Sequence, residues 1–509
     1  MSDFCLLPRH SNQVRGLAEA AIRFIHGPAA GAPQLDASVV DRLELFHIDS
    51  IGCAVGALAR GMNAPAVLRD EALEYRSTSR TAHCFGDATP VASEKAVLAN
   101  ASAVRELDAN GTNFGYNPHT GQTAGEFGHN DFYPVAVAGA AVAGADGATT
   151  LRAMLFLDEI RGRLAEAFSL KDHKIDHVVH GGIASAVVYG ALLGADVEQI
   201  ESAVGQFVAH HIPFRAIRSG RQLSDSKGAS AAISAEVAVQ AVHRALHGFR
   251  GPADIFRNRQ AIFCLFEPPD EPDASPFDLH IAHGGTDFAI CGMHFKLGLY
   301  EHQSAGAIQG LIDLFSRHPA LYASPDAIQR MEIAIYQPAF DIIGDPAKRD
   351  PRTRQSADHS MVYIMATLWR KAIERQAAGW TELMLMPEDY DDSALFHPLT
   401  RRLMERIEFR HGGEEFDRRY PDGIPTQLDV VDDRGERRSS GLVMYPLGHA
   451  RADNRELEAV LRTKFERLVA PAVDEPATLW DRFRHTATLP PQAIASWYVF
   501  PLRLPGAST

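Results

Sequence analysis

Ile183-Ala-Ser-Ala-Val-Val-Tyr-Gly-Ala-Leu-Leu-Gly-Ala-Asp-Val-Glu-Gln-Ile-Glu-Ser-Ala-Val-Gly-Gln-Phe-Val-Ala-His210 reads as two helices meeting at a tight joint. Gly194 suits the left-handed residue just past a helix end, and Asp196 suits the N-cap of the next helix. Gln199, three residues on, completes a capping box. Working back towards the start, Val39, Val40, Leu43, Phe46, Ile51, Val55 and Leu58 recur at steps of three and four. That is the spacing of an amphipathic helix, with Ser38 as its expected N-cap. The run Ile51-Gly-Cys-Ala-Val-Gly-Ala-Leu58 contains two glycines that cost helix propensity. They also let another helix approach closely, so this helix is expected to be buried. The same Ala/Gly texture fills 228–247, where His247-Gly248 and then Gly251-Pro252 form a stop.

The texture changes at 266–277, Phe-Glu-Pro-Pro-Asp-Glu-Pro-Asp-Ala-Ser-Pro-Phe, with four prolines and four acids. Such composition marks a linker and a domain boundary. Beyond it, 329–336 and 405–411 alternate apolar with polar residues, as half-buried strands do, and 426–432 is a third candidate. Helical stretches are expected near 302–316 and 357–376, and a last helix over 455–465. The fold class is therefore mainly α. A large helical domain is expected over 1–275 and about 436–509, with a smaller α+β domain at about 285–435.

At 509 residues the chain is long enough for about three domains or two large ones. Its 50 Lys and Arg stand against 64 Asp and Glu, a formal charge of −14. That excludes a nucleic-acid binder relying on neutralised phosphates. The five cysteines are scattered and none forms a Cys-x-x-Cys pair. They read as reduced thiols and argue against a zinc ribbon or an iron–sulfur cluster. Residues 1–8 lack a basic region leading into a long apolar stretch, and no run reaches the ~20 apolar residues of a membrane span. The expected location is cytoplasmic, away from membranes.

Four polar clusters are candidates for chemistry. The first is Glu106-Leu-Asp108-Ala-Asn-Gly-Thr112, followed by the Gly/Asn/His-rich stretch to Asp131. Long polar loops of this kind are often functional, though many only connect. The second, Lys171-Asp-His173-Lys-Ile-Asp176-His177-Val-Val-His180, places His173 and His177 four apart. That spacing would put two metal ligands on one helix face, although Lys171 and Lys174 repel a cation. Catalytic or structural histidines are the alternative. The third holds Arg215, Arg218, Arg221 and Lys227, a basic stretch in an acidic chain. Guanidinium forks bind carboxylates, so a small polyanion is the expected ligand, with structural ion pairs as the alternative. The fourth combines Phe295-Lys296 and His302 with Asp358-His359-Ser-Met-Val-Tyr363. Tyr363 can exchange a proton or simply pack on a helix face.

Taken in order, these pieces resemble the MmgE/PrpD family, which holds 2-methylcitrate dehydratase and cis-aconitate decarboxylase. The likeness starts at Asp49-Ser-Ile-Gly-Cys-Ala and runs through Leu107-Asp108 with Thr112, Gly128-His129 and Asp176-His177-Val. It continues through Leu193 to Ile200, Lys227, Phe295-Lys296 with His302, and Asp358 to Tyr363. The resemblance implies a helical domain with an inserted α+β lid, a homodimer, and catalysis without a metal or other cofactor. It puts Asp108, Thr112, His129, His177, Lys227 and Tyr363 at catalytic positions. Arg215, Arg218, Lys296 and His302 are then expected to hold substrate. In familiar members a His follows the Asp-x-x-x-Thr closely. Here sixteen residues, Asn113 to Gly128, intervene. The stretch Tyr116–Glu126 reads as an insertion at the pocket mouth, and His119 competes with His129 for the family position.

The activity this implies is dehydration of a citrate-like tricarboxylate such as 2-methylcitrate. A proton must leave a carbon beside a carboxylate, and the negative charge that builds up there needs nearby cations. Expelling hydroxide needs a proton donor. Asp108, His129 and His177 are the expected acid and base, with Tyr363 assisting. Decarboxylation of cis-aconitate, another carbanion-forming lyase or isomerase reaction, a binding protein without catalysis, and a metallohydrolase on the 171–180 histidines are the alternatives.

Overall fold

The computed structural model describes residues 3–27, 34–113, 116–117, 122–123, 128–218, 224–343 and 346–505. At 113, 116–117, 122–123, 128–129, 342–343 and 346–347 it describes the backbone alone. His119 and Arg221 therefore lie outside the described residues, as does the side chain of His129. The chain is mainly α. It divides into two compact units, one formed from 1–220, 224–293 and 465–509, the other from 294–464.

The first unit is a stack of helices: α1 (Gln13–Ile25), α2 (Ala37–Ala59), α3 (Asn63–Glu74), α4 (Ser93–Glu106), α5 (Tyr133–Ala143), α6 (Gly147–Ala167), α7 (Val178–Leu192), α8 (Val197–His210), α9 (Ser226–Leu246) and the short α10 (Ile262–Phe266). Every residue of α7 is buried. It packs against α1, α5, α6, α8 and α9, so its sequence is apolar on all sides, as a core helix must be. Two of its glycines make this possible. A Cβ on Gly181 would stand 2.0 Å from the Phe132 ring, and one on Gly182 2.0 Å from the Phe207 ring. The α7–α8 joint carries the expected capping box. Asp196 accepts from the Gln199 backbone N–H at 2.7 Å, and Gln199 accepts from that of Asp196 at 3.0 Å. Gly194 takes φ +73°.

Helix α2 is buried along most of its length, as its glycines suggested. Gly52 and Gly56 receive Phe465 and Leu468 of the helix Leu457–Val469, where a Cβ would meet them at 2.8 and 3.1 Å. Its N-cap is Asp36 rather than Ser38. The Asp36 carboxylate accepts the Ser38 N–H, so Ser38 lies inside the first turn. The proline-rich stretch 266–277 lies within the first unit, and the change of unit comes between Met293 and His294. There Ser275 donates to the Gln13 side chain at 2.7 Å, while Arg259 donates to the carbonyls of Pro269, Glu271 and Pro272.

Short antiparallel pieces complete this unit. β1 (Phe4–Leu7) pairs with β8 (Leu279–Ala282), and β2 (Thr81–His83) pairs with β3 (Pro90–Ala92). β4 (Thr112–Asn113) pairs with β7 (Gly128–His129), and β5 (Tyr116–Asn117) with β6 (Gln122–Thr123). Among the described residues no single helix is long and apolar enough to cross a membrane.

The second unit holds a four-stranded sheet in the order β10 (Ile407–His411), β9 (Ile328–Ile335), β11 (Thr426–Asp432), β12 (Arg437–Val443). β9 and β10 run parallel, and the other pairs are antiparallel. Helices α11 (Ala305–Arg317), α12 (Gln337–Ile343), α13 (Arg354–Ala357) and α14 (Met361–Arg375) belong to the same unit.

Candidate functional site

Helix α4 ends at an acidic residue in an unusual conformation. Asp108 has φ +51°, a region that Asp enters more readily than most residues but that is uncommon outside glycine. Its N–H still donates to the Arg105 carbonyl at 2.9 Å. Its carboxylate lies between two cations, with the Arg105 guanidinium at 2.6 Å and the Lys227 ammonium at 3.2 Å. Lys227 reaches it because α9 starts directly against the end of α4. Gly228 lies against the end of α4, where a Cβ would meet the Glu106 carboxylate oxygen at 2.7 Å and the Glu106 Cα at 3.8 Å.

Arg105 is 3% exposed and also faces Asp131, at 3.5 Å. Burial alone would disfavour its charge, but Asp108 and Asp131 reverse that and raise its pKa. Asp131 is fully buried and accepts from the Asn110 side chain at 2.6 Å. Burial pushes its carboxyl above the usual range against the pull of Arg105. Behind it Tyr133, Asp158, Arg161 and Asn130 form a second buried polar knot. The Tyr133 hydroxyl donates to Asp158 at 2.5 Å, Arg161 pairs with Asp158 at 2.6 Å, and Asn130 donates to Tyr133 at 2.8 Å.

The entry to α7 brings the next group. The Asp176 N–H donates to the Pro213 carbonyl, the Arg215 N–H donates to the Lys174 carbonyl, and Ile175 bridges Phe214. These ties lay 213–218 along 174–177. Arg218 grips both carboxylate oxygens of Asp176, one at 3.1 Å and the other closer. Burial works against charge on Asp176, yet His177 and Arg218 overcome it and hold the carboxyl down at about 2. His177 Nδ1 is 3.6 Å from Asp176. Burial pushes the His177 imidazole well below its ordinary value. Asp176 opposes that push, while Arg218, Arg105 and Arg215 add to it. At neutral pH the ring is therefore uncharged. Arg215 differs from Arg218, because it has no ion-pair partner among the described residues.

Thus Asp108, His177, Lys227, Arg215 and Arg218 gather in the first unit with Arg105 and Asp131. Thr112 is buried close by in sequence and pairs with His129 through the backbone. Its hydroxyl has no hydrogen-bond partner among the described residues. The metal reading of 171–180 fails at the backbone. Lys174 takes φ +62° and the helix starts only at Val178, so His173 and His177 do not share a helix face. His173 instead lies between Phe168 and Phe266 and meets Glu267 at 2.8 Å. Among the described residues no three His, Cys, Asp or Glu side chains converge to hold a metal ion.

The remaining sequence candidates lie in the second unit. Lys296 and His302 are buried, and His302 opens a short turn capped by Glu301. Burial, with Lys296 and His449 nearby, pushes the His302 imidazole well below its ordinary value. Tyr363 lies on α14 with its hydroxyl donating to the Asp389 carbonyl at 2.6 Å. Burial pushes that hydroxyl up to about 12. Arg105 and Asn110 are cluster members that the sequence does not mark as site residues, and Asp131 stands in the sequence only as the end of a polar loop. The available signal was an arginine three residues ahead of Asp108 in a helical run, the spacing at which two side chains meet.

The first unit thus holds a buried cluster of carboxylates and cations beside a histidine that burial keeps well below its ordinary value. The descent is clear: the chain belongs to the MmgE/PrpD family, matching the MmgE/PrpD N-terminal domain over residues 24–274 and the MmgE/PrpD C-terminal domain over 300–481. It is also 24% identical over 330 residues to an alkylcitrate dehydratase, phiI, from a fungal species (strain ATCC 74256). That match takes in 63% of this chain and spans only 60% of the relative's length.

Proposed function

We propose that the chain is a hydro-lyase that dehydrates a citrate-like tricarboxylate, with 2-methylcitrate as the nearest expected substrate. The observation that carries this reading is the charge balance around His177. Four cations, Arg105, Arg215, Arg218 and Lys227, stand with three carboxylates, Asp108, Asp131 and Asp176. Arg105, Arg218 and Lys227 are engaged by those acids, and Arg215, which has no ion-pair partner among the described residues, takes a substrate carboxylate in this reading. A guanidinium is suited to that task.

In this reading His177 is the base. An uncharged imidazole can accept the proton that leaves a carbon beside a carboxylate. The Asp176 carboxylate stands 3.6 Å from Nδ1, close enough to stabilise the imidazolium that forms when the ring takes a proton. Lys227 and Arg215 would stabilise the charge that builds up on the substrate carboxylate as the C–H bond breaks. The hydroxide that departs must take a proton, for which Asp108, Thr112 and His129 are the candidates nearest in sequence to the cluster. By family likeness Lys296 and His302 bind substrate and Tyr363 assists. The same likeness makes the active form a homodimer.

The test is incubation of the full chain with citrate, 2-methylcitrate, longer alkylcitrates and cis-aconitate, with products read by NMR. Loss of water to give an alkene supports the proposal. Release of CO₂ from cis-aconitate would replace it with a decarboxylase, and no turnover of any acid would leave a binding protein.

A further inference from the structure

Three imidazole rings stack inside the second unit. His294 and His302 have centroids 5.2 Å apart and planes 10° apart, while His294 and His449 are 4.1 Å and 25° apart. None of the three is more than 5% exposed. Only His302 falls in the family motif. The other two are fixed by main-chain donors. The Ala450 N–H donates to His294 Nδ1 at 3.0 Å, and the Arg451 N–H donates to His449 Nδ1 at 3.1 Å.

A ring nitrogen that accepts a backbone N–H must carry a lone pair. The ring's proton then sits on Nε2, and the ring is uncharged. The same turn is joined to the neighbouring segment by the Phe295 N–H, which donates to the Gly448 carbonyl at 2.8 Å. The segment bearing Lys296 and His302 is thus knitted to the turn at 446–451 through both side chain and backbone.

We propose that His294 and His449 are positioning residues for His302: held as Nε2–H tautomers by backbone donors, they form a stacked backing that sets the plane of the His302 ring. The catalytic meaning of this stack rests on His302 being a substrate-site residue, as proposed above, whereas its geometry does not. A charged His449 would add a second cation to the Lys296 ammonium, but the backbone N–H on its Nδ1 excludes that charge, which leaves burial and Lys296 to hold the His302 imidazole down. Two uncharged rings add packing without charge, and His302 meets a carboxylate substrate as a neutral hydrogen-bonding group.

The test uses the full chain labelled at histidine ring nitrogens and Cε1, observed by NMR. Comparison with His294→Gln and His449→Asn assigns the two backing rings. Both are expected to show a bare Nδ1 and a protonated Nε2 that persist from about pH 6 to about pH 8, across the range where free histidine titrates. His449→Asn keeps an acceptor for the Arg451 N–H but loses the ring, whereas His449→Phe keeps a ring but loses the acceptor. Each is expected to move the His302 resonances. On any tricarboxylate that the chain turns over, each should lower kcat by about tenfold with a smaller change in KM. A backing ring that titrates in this range or is protonated at Nδ1 would overturn the proposal. So would His302 resonances that stay in place in both variants. Because these readings need no substrate, absence of turnover would count against the enzymatic reading alone.

Discussion

Replacing Arg105 with Met removes a buried cation while keeping much of the side chain's bulk. The guanidinium faces Asp108 at 2.6 Å and Asp131 at 3.5 Å, and Asp131 is fully buried. Breaking a buried ion pair by deleting one partner costs about 3–5 kcal/mol. Asp108 keeps Lys227 at 3.2 Å and Asp131 keeps Asn110 at 2.6 Å, so the lower end, about 3 kcal/mol, is expected. That is a large share of a typical stability of about 5–15 kcal/mol.

The loss should also depend on pH. Burial raises the Asp131 carboxyl above its ordinary value. A carboxyl raised in this way binds a proton in the folded state that the unfolded chain has released. Its contribution to stability therefore falls as pH climbs from the ordinary value to the folded one, and is level above that. Without Arg105 the folded value rises further, and the fall extends to higher pH. The penalty of Arg105→Met should be smaller near about pH 5 than near about pH 8. Urea unfolding followed by circular dichroism at both pH values measures it. The double variant Arg105→Met, Asp131→Asn should regain part of the loss at the higher pH. A penalty under about 1 kcal/mol, or one equal at both pH values, would refute the reasoning.

Other expectations follow from the same geometry. His177→Ala should lower kcat by ~10²-fold or more if the ring takes the proton, and steady-state kinetics showing unchanged turnover would remove it from the mechanism. Arg215→Gln should raise KM for a tricarboxylate about tenfold, the lower range of a lost charge-assisted hydrogen bond, with unfolding midpoints nearly unmoved. Arg218→Gln should instead destabilise by about 3 kcal/mol, since it leaves the buried Asp176 carboxylate without its guanidinium. Gly182→Ala forces a methyl to 2.0 Å from the Phe207 ring and should cost at least about 1–3 kcal/mol in thermal unfolding.

Helix α2 was legible from the spacing of its apolar residues, and the α7–α8 pair from the caps at its joint, Asp196 and Gln199. The strands at 328–335, 407–411 and 426–432 were legible from alternation. β12 was not. Arg437-Arg-Ser-Ser-Gly-Leu-Val443 is an edge strand with few buried residues, so no apolar face marks it. Asp108, His177 and Lys227 stand out in the sequence by motif order. Arg105 does not, because a buried arginine inside a helical run reads like any surface charge until its partners are known. Arg215 and Arg218 looked alike in sequence. Only the fold of 213–218 along 174–177 shows that one is bound to Asp176 and the other is not. The histidines at 173 and 177 had the right spacing for a helix, but the backbone at Lys174 breaks it.

The central claim is that this cation-rich cluster removes water from a tricarboxylate. The most direct measurement follows ¹³C-labelled 2-methylcitrate by NMR with wild-type protein and with His177→Ala. The account predicts an unsaturated tricarboxylate that keeps every carbon, formed by the wild type and not by the variant. Labelled CO₂, or an unchanged substrate spectrum with wild-type protein, would contradict it.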